Sequence, residues 1–351
     1  MSTIGTRGAS SLWTFAAMAV LLLVVFPLSL DTFRLDLMSK YLSFAFVAVG
    51  IVLAWGYGGI LSLGQGIFFG LGGYMMAMFL KLEASAPELP DFMVWSSVEQ
   101  LPTWWLPFKS FAATLALIVV LPVVTAFPFA YAIFRKRVGG VYFAIVTLAL
   151  ALTMTVLIVG QQGDTGGANG ITDFSTLLGM DILSDESKMV LYLIESLLLL
   201  VVMAAALFVI RSRLGKVLIA IRDREDRVRF SGYDTALIKA AVFALAALFS
   251  SIGGALYSLQ TGLIAPSIVG VVASVEMVIY AAVGGRLSVY GAVLGAIFIG
   301  FMKSYLSENF PEIWLYFLGA LFIGVVLFMP NGLAGLLDRV RLEAWRRALA
   351  K

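Results

Sequence analysis

The chain contains no cysteine and no histidine. That excludes disulfides, thiolate nucleophiles, the commonest zinc sites and every catalytic arrangement built on imidazole. Charge is scarce as well. Asp, Glu, Lys and Arg make up 13% of the 351 residues, about half the share in an ordinary soluble domain. What fills the chain instead is apolar. Hydrophobic residues reach 61% and mean hydropathy is +0.99, more apolar surface than a water-soluble fold of this size can place inside. Lipid must solvate much of it. The net charge of +3 does not point to nucleic acid. The basic residues fall in short blocks between apolar runs, which is how a membrane protein sets its orientation.

Roughly 20 apolar residues cross a bilayer as a helix, the form that satisfies every backbone polar group internally. Ten stretches qualify: 12–30, 41–56, 65–81, 111–134, 141–159, 189–210, 236–257, 268–284, 290–306 and 313–329. Several are short or rich in glycine, which leaves nine as the alternative count. The first is too long for the apolar part of a cleavable signal and lacks a small-residue cleavage site, so it reads as a span. The fold class expected is all-α, a polytopic transmembrane helical bundle forming one membrane domain over residues 1–351.

With the N-terminus inside, even-numbered spans exit to the cytoplasm. The cytoplasmic segments then hold Arg135, Lys136 and Arg137, the basic residues from Arg211 to Arg229, Arg286, and Arg339, Arg341, Arg346, Arg347 and Lys351. The outside segments hold Glu83, Glu88, Asp91, Glu99, Asp164, Asp173, Asp181, Asp185, Glu186, Glu308 and Glu312. This segregation predicts both termini in the cytoplasm. It makes 83–109 and 160–188 long extracytoplasmic loops. The first carries Pro87, Pro90, Pro102 and Pro107, which forbid a regular helix, and Trp95, Trp104 and Trp105, which suit the membrane interface. The second holds a glycine-rich stretch from Gln161 to Gly170. One internal echo exists: Gly58-Gly59-Ile60-Leu61-Ser62 resembles Gly284-Gly285-Arg286-Leu287-Ser288.

Chemistry has few places to sit. The run Gly56 to Gly66 is the most irregular apolar stretch, and so many glycines weaken a helix. Such a break either lines a watery path, with Ser62 and Gln65 as neutral hydrogen-bonding groups, or lets helices approach closely through Gly66, Gly70 and Gly73. Glu276 lies within an apolar span and faces either a pathway or another helix. No basic residue in a neighbouring span is evident as its partner. In 211–232, Leu214, Val217, Leu218 and Ile221 recur on one helical face, charges crowd Arg222 to Arg229, and Gly232 is a plausible stop. That segment docks either on a partner protein or on anionic lipid, and the interleaved Asp223, Glu225 and Asp226 favour the partner. Gly295 and Gly300 have P-loop spacing, but Phe301 stands where the phosphate-binding lysine is needed. An energy source inside this chain is therefore not expected.

Five stretches together resemble the branched-chain amino-acid/urea group of ABC importer permeases. They are Trp55 to Gly66, Thr165 to Phe174, Ala220 to Asp223 with Phe230 to Tyr233, Gly253 to Tyr257, and Phe328 to Leu333. The resemblance spans nearly the whole chain. Thr172-Asp173-Phe174, Leu89 to Met93 and Arg229 to Tyr233 look most like the urea branch, in its larger, M-like kind. One departure stands out: Arg286-Leu287-Ser288 follow a Gly-Gly pair where the family commonly continues with Gly-Thr.

The resemblance implies a type II-like permease in a bacterial inner membrane. Its partners would be a second homologous permease, two cytoplasmic ATPases and an extracytoplasmic solute-binding protein, with ATP and Mg held by the ATPases and no cofactor in this chain. Urea would be the substrate, with branched-chain amino acids as the alternative. Candidate path residues are Ser62, Gln65, Thr165, Asn169 and Glu276. The ATPase-coupling residues would be Arg222, Asp223, Arg224, Glu225, Arg227 and Gly232, the charged ones free to meet the ATPase. On that view, reversing Arg222 and Glu225 together uncouples hydrolysis from transport in a folded permease. Two other classes fit less well. An ion-coupled transporter or channel should show paired intramembrane ionisable residues, and an intramembrane enzyme needs a Ser–Lys or paired-Asp motif. Lys303 and Glu276 lie in different spans without such a motif.

Overall fold

The structure is a computed structural model describing residues 4–328 and 332–335. The basic cluster from Arg339 to Lys351, and Met329, Pro330 and Asn331 of the last resembling stretch, lie outside the described residues. Among the described residues, eight helices are long and apolar enough to cross a membrane: α1 (Leu12–Ser29), α2 (Thr32–Tyr57), α3 (Gln65–Ser85), α4 (Phe111–Arg135), α5 (Val141–Gly160), α6 (Asp185–Arg211), α8 (Thr235–Thr261) and α10 (Val289–Asn309). Between α6 and α8 lies the charged helix α7 (Arg213–Phe230). The other two expected spans form shorter helices, α9 (Val271–Gly284) and α11 (Trp314–Phe328). The chain is a polytopic helical membrane protein. Its only strands among the described residues are β1 (Thr176–Leu177) and β2 (Met180–Asp181), an antiparallel pair.

Helix α9 is short for a local reason. Gly262, at φ 65°, ends α8, and Ile264 then pairs with Ile171 in an isolated antiparallel bridge. The chain goes on through the turn Pro266–Ile268 and becomes α-helical only at Val271. The 14 residues of α9 make about 21 Å of helix, short of a full crossing. At the other extreme, α2 starts nine residues before the expected span at 41. Its charged first turns hide it from a hydropathy reading, yet they pair along the helix as Arg34–Asp31 at 3.5 Å and Lys40–Asp36 at 3.0 Å.

Helices α2, α3 and α8 form the interior, with α1, α4 and α5 largely exposed around them. Small residues allow the close approach. A Cβ built on Gly254 of α8 would lie 1.7 Å from the Phe69 carbonyl oxygen of α3, and one on Gly72 of α3 would lie 1.9 Å from the Ser251 carbonyl oxygen. Without a hydrophobic drive between lipid-solvated helices, such backbone proximity and interhelical hydrogen bonds supply the association. Serines of α8 add the bonds. Pro122 in α4 cannot donate to the Ile118 carbonyl, and Ser251 Oγ donates to it instead at 2.9 Å. Ser258 Oγ donates to the Gly73 carbonyl of α3 at 3.0 Å.

The two long loops lie together at one end of the bundle. Trp105 is fully buried there and donates Nε1–H to the Asp164 carbonyl at 3.1 Å. Of the three tryptophans expected at the membrane interface, Trp95 and Trp104 remain exposed while Trp105 is this lock between loops. The Glu83 carboxylate accepts from the Leu178 and Gly179 amides and so holds the turn between β1 and β2.

Candidate functional site

Three separate places receive the candidate path residues, and a fourth, at α7, the coupling residues. The first is the break between α2 and α3. Its broken backbone is satisfied within the protein: Leu63 N–H donates to Thr147 Oγ1 at 3.1 Å, Gly64 N–H to Ser62 Oγ at 3.3 Å and Gly66 N–H to Ser274 Oγ at 3.2 Å. Ser62 and Gln65 are both buried. Gln65 Oε1 accepts from Ser250 Oγ at 3.1 Å, while its Nε2 has no partner among the described residues. Gly66, Gly70 and Gly73 all meet neighbouring chain within 3 Å of a built Cβ, so close packing describes this stretch better than a lined path.

The second place is the loop end. Thr165 Oγ1 donates to the Ile158 and Gln161 carbonyls at the end of α5. Asn169 is exposed and lines a small depression with Lys81, Asp91 and Asp173. Neither residue adjoins Ser62, Gln65 or Glu276 among the cavity-lining sets.

The third place surrounds Glu276. This carboxylate is 4% exposed, and its Oε2 accepts from Lys303 Nζ of α10 at 2.9 Å. The expectation that Glu276 has no basic partner is therefore corrected. The partner stands 27 positions later, on the next helix, because α9 and α10 form a tight pair at Gly284, Gly291 and Gly295. The pair opens onto a cavity of about 390 Å³ walled by α2, α8, α9, α10 and Trp314 of α11. Among the described residues Glu276 Oε1 has no partner at hydrogen-bond geometry, with the Tyr280 hydroxyl beside the carboxylate.

A second intramembrane acid escaped the sequence reading. Glu195 of α6 is fully buried, accepting from Ser43 Oγ of α2 at 2.7 Å and from Gln260 Nε2 of α8 at 3.2 Å. Its place in an apolar run is a signal of the same kind as Glu276. It ties three helices through neutral partners, without a cation among the described residues. Glu195→Ala should lower thermal stability in detergent by about 1–3 kcal/mol because two donors are left unpaired. Glu195→Gln, which keeps an acceptor, should lose less, and equal melting of the two variants would contradict this role.

At the end opposite the loops, α7 lies against α6, α8 and the last turns of α2. Its expected apolar face is realised: Leu218 and Ile221 are buried, with Leu214 and Val217 half-buried. Ser212 caps its start and Gly232, at φ 88°, follows its end. The expectation that its charges all project freely is corrected. Arg222 donates Nη1–H to the Gly56 carbonyl at 2.7 Å and pairs with Asp223 at 3.1 Å. Glu225 accepts from Lys239 at 3.1 Å, from Arg229 at 3.1 Å and from Thr235 at 3.0 Å. Reversing Arg222 and Glu225 together would thus break bonds inside the protein. Asp223, Arg224 and Arg227 stay exposed, Arg224 at a kink in the helix. Phe230 is 92% exposed. The two echoing loops also meet here: Tyr57 donates its hydroxyl to the Leu287 carbonyl at 3.0 Å, and Arg286 lies 5.8 Å from the Trp55 ring centroid.

Residues 33–326 match the family described as branched-chain amino acid transport system / permease component. Curated relatives include the high-affinity branched-chain amino acid transport system permease protein LivM of Escherichia coli, 26% identical, with 91% of this chain and 74% of that protein covered. The permease protein BraD of Pseudomonas aeruginosa is 25% identical over 84% of this chain and 92% of its own length. A second Escherichia coli permease protein of that description, LivH, is 22% identical over 84% and 91%. None of these supports the urea expectation. No solved structure matches the chain.

Proposed function

The chain belongs to the branched-chain amino acid transport system permease-component family, and from that premise we propose that it is the membrane-spanning subunit of an ATP-driven importer of branched-chain amino acids. It is a transport component rather than an enzyme. The observation that carries the proposal is the family match over most of a bundle that sets a short, firmly seated charged helix at its basic end. ATPase subunits would engage α7 there, and a solute-binding protein would dock on the interlocked loops. Similarity to both LivM and LivH favours a second, homologous permease as the membrane partner. The basic end would face the cytoplasm of a bacterial inner membrane.

Two experiments test this arrangement. Single cysteines replacing Lys136 and Asp181 in this cysteine-free chain should be labelled from opposite sides, and labelling of both from one side would refute the orientation. Phe230 is an exposed aromatic tip beside the charged residues, the kind of side chain that anchors interfaces. Phe230→Ala should reduce co-purification of the ATPase subunits about tenfold or more if it fills a pocket there. Undiminished co-purification would leave it outside the contact.

A further inference from the structure

We propose that the cavity at Glu276 and Lys303 binds the zwitterionic head of the transported amino acid, Glu276 accepting from its ammonium and Lys303 donating to its carboxylate. This rests on the amino-acid reading above and names the residues that would meet the substrate. A purely structural ion pair at membrane depth should saturate both members, since unpaired polar groups there are costly. This pair leaves each half open. Glu276 Oε1 is buried and, among the described residues, takes no donor at hydrogen-bond geometry, the Tyr280 hydroxyl being its polar neighbour. Lys303, whose side chain is 36% exposed, gives one bond to Glu276 Oε2 at 2.9 Å. Trp314 flanks the ammonium, its ring centroid 5.1 Å from Nζ.

The rest of the cavity suits the substrate's other half. Tyr41, Phe44, Tyr257, Ile268 and Val272 offer a mainly apolar wall for an aliphatic side chain. The volume of about 390 Å³ falls within the roughly 300–1,000 Å³ of small-molecule sites. The remaining charged residue on the lining, Lys40, is balanced by Asp36 at 3.0 Å. A bound zwitterion adds no net charge and supplies a donor for Oε1 and an acceptor for Nζ. Urea also offers N–H donors and a carbonyl acceptor, but it carries no charge, so its bonds to the pair lack the charge assistance on both sides that a zwitterion supplies.

The test uses the complete importer. Wild type and the Glu276→Gln/Lys303→Gln variant, which keeps a neutral hydrogen-bonding pair, are compared in proteoliposomes with the binding protein and ATP. Assembly is measured alongside uptake of labelled leucine. Leucine uptake should fall about tenfold or more at equal assembly, since each lost contact is a charge-assisted hydrogen bond. Unchanged uptake by the assembled variant would overturn the site while leaving the amino-acid reading intact. No leucine uptake by wild type would instead overturn the reading, and the site with it. Should the variant fail to assemble, direct binding to the wild-type membrane complex without binding protein decides. Leucine should outcompete both 4-methylpentanoate, which lacks the ammonium, and isopentylamine, which lacks the carboxylate, by about tenfold or more. Equal binding of the three, or none of leucine, would overturn the site.

Discussion

Replacing Gly254 with leucine should cut the yield of monodisperse, membrane-extracted protein about tenfold or more, the largest structural loss expected from one substitution. A Cβ at this position would stand 1.7 Å from the Phe69 carbonyl oxygen and 2.6 Å from its carbon. Backbone cannot swing aside as a side chain can, so α3 and α8 would have to separate. Doing so also lengthens the Ser258–Gly73 bond and disturbs the Ser251 contact that compensates for Pro122. The control is Gly160→Ala, at the end of α5, where nothing lies within 4 Å of a built Cβ. It should accumulate as wild type does. Equal yields of the two variants would mean that the α3–α8 seam does not hold the bundle.

Glu225→Ala should have the second-largest effect, on uptake driven by ATP. Glu225 is the carboxylate by which the end of α7 holds α8, and its partner Lys239 is 9% exposed in its side chain and lies 4.3 Å from the Phe134 ring centroid. Removing the acid leaves a largely buried ammonium without its counter-charge, a loss of about 2–3 kcal/mol for a charged hydrogen bond of partial exposure. If α7 transmits the ATPase stroke, leucine uptake falls about tenfold or more, since 1.4 kcal/mol is a factor of ten. Co-purification of the ATPase subunits, the readout proposed for Phe230, should persist. The double variant Glu225→Gln/Lys239→Met removes the charges of this pair while the amide keeps an acceptor for Arg229 and Thr235, and it should recover much of the uptake, because replacing both partners of a pair can be nearly neutral. A double variant as impaired as the single one would show that this contact is not the link.

Much of this arrangement was legible in the sequence, and the limits have physical causes. The apolar face of α7 followed from a 3.6-residue period, which depends on neighbours three and four apart. The spans followed from composition. By contrast, the Glu276–Lys303 and Glu225–Lys239 pairs join positions on different helices, and no local rule states which faces of two helices will meet. The free or bound state of Arg222 was hidden for the same reason, since its acceptor is a backbone carbonyl at Gly56. Hydropathy also misread α2, whose first turns are charged yet helical, and α9, where an apolar sequence enters the bundle as bridge and turn before becoming helix. The motifs that suggested urea were short segments in the outer loops and at the end of α7. Among them Asp91 pairs with Lys81 at 3.0 Å and the Thr172 hydroxyl bonds Asp173 at 2.6 Å, which are contacts of loop architecture.

The most direct test of the central claim is substrate competition in the reconstituted importer. Labelled leucine should enter proteoliposomes only with ATP and the binding protein present. Excess unlabelled valine or isoleucine should suppress that uptake, and urea at the same concentration should leave it unchanged. Suppression by urea with none by valine or isoleucine would contradict the account and return the chain to the urea branch of its family.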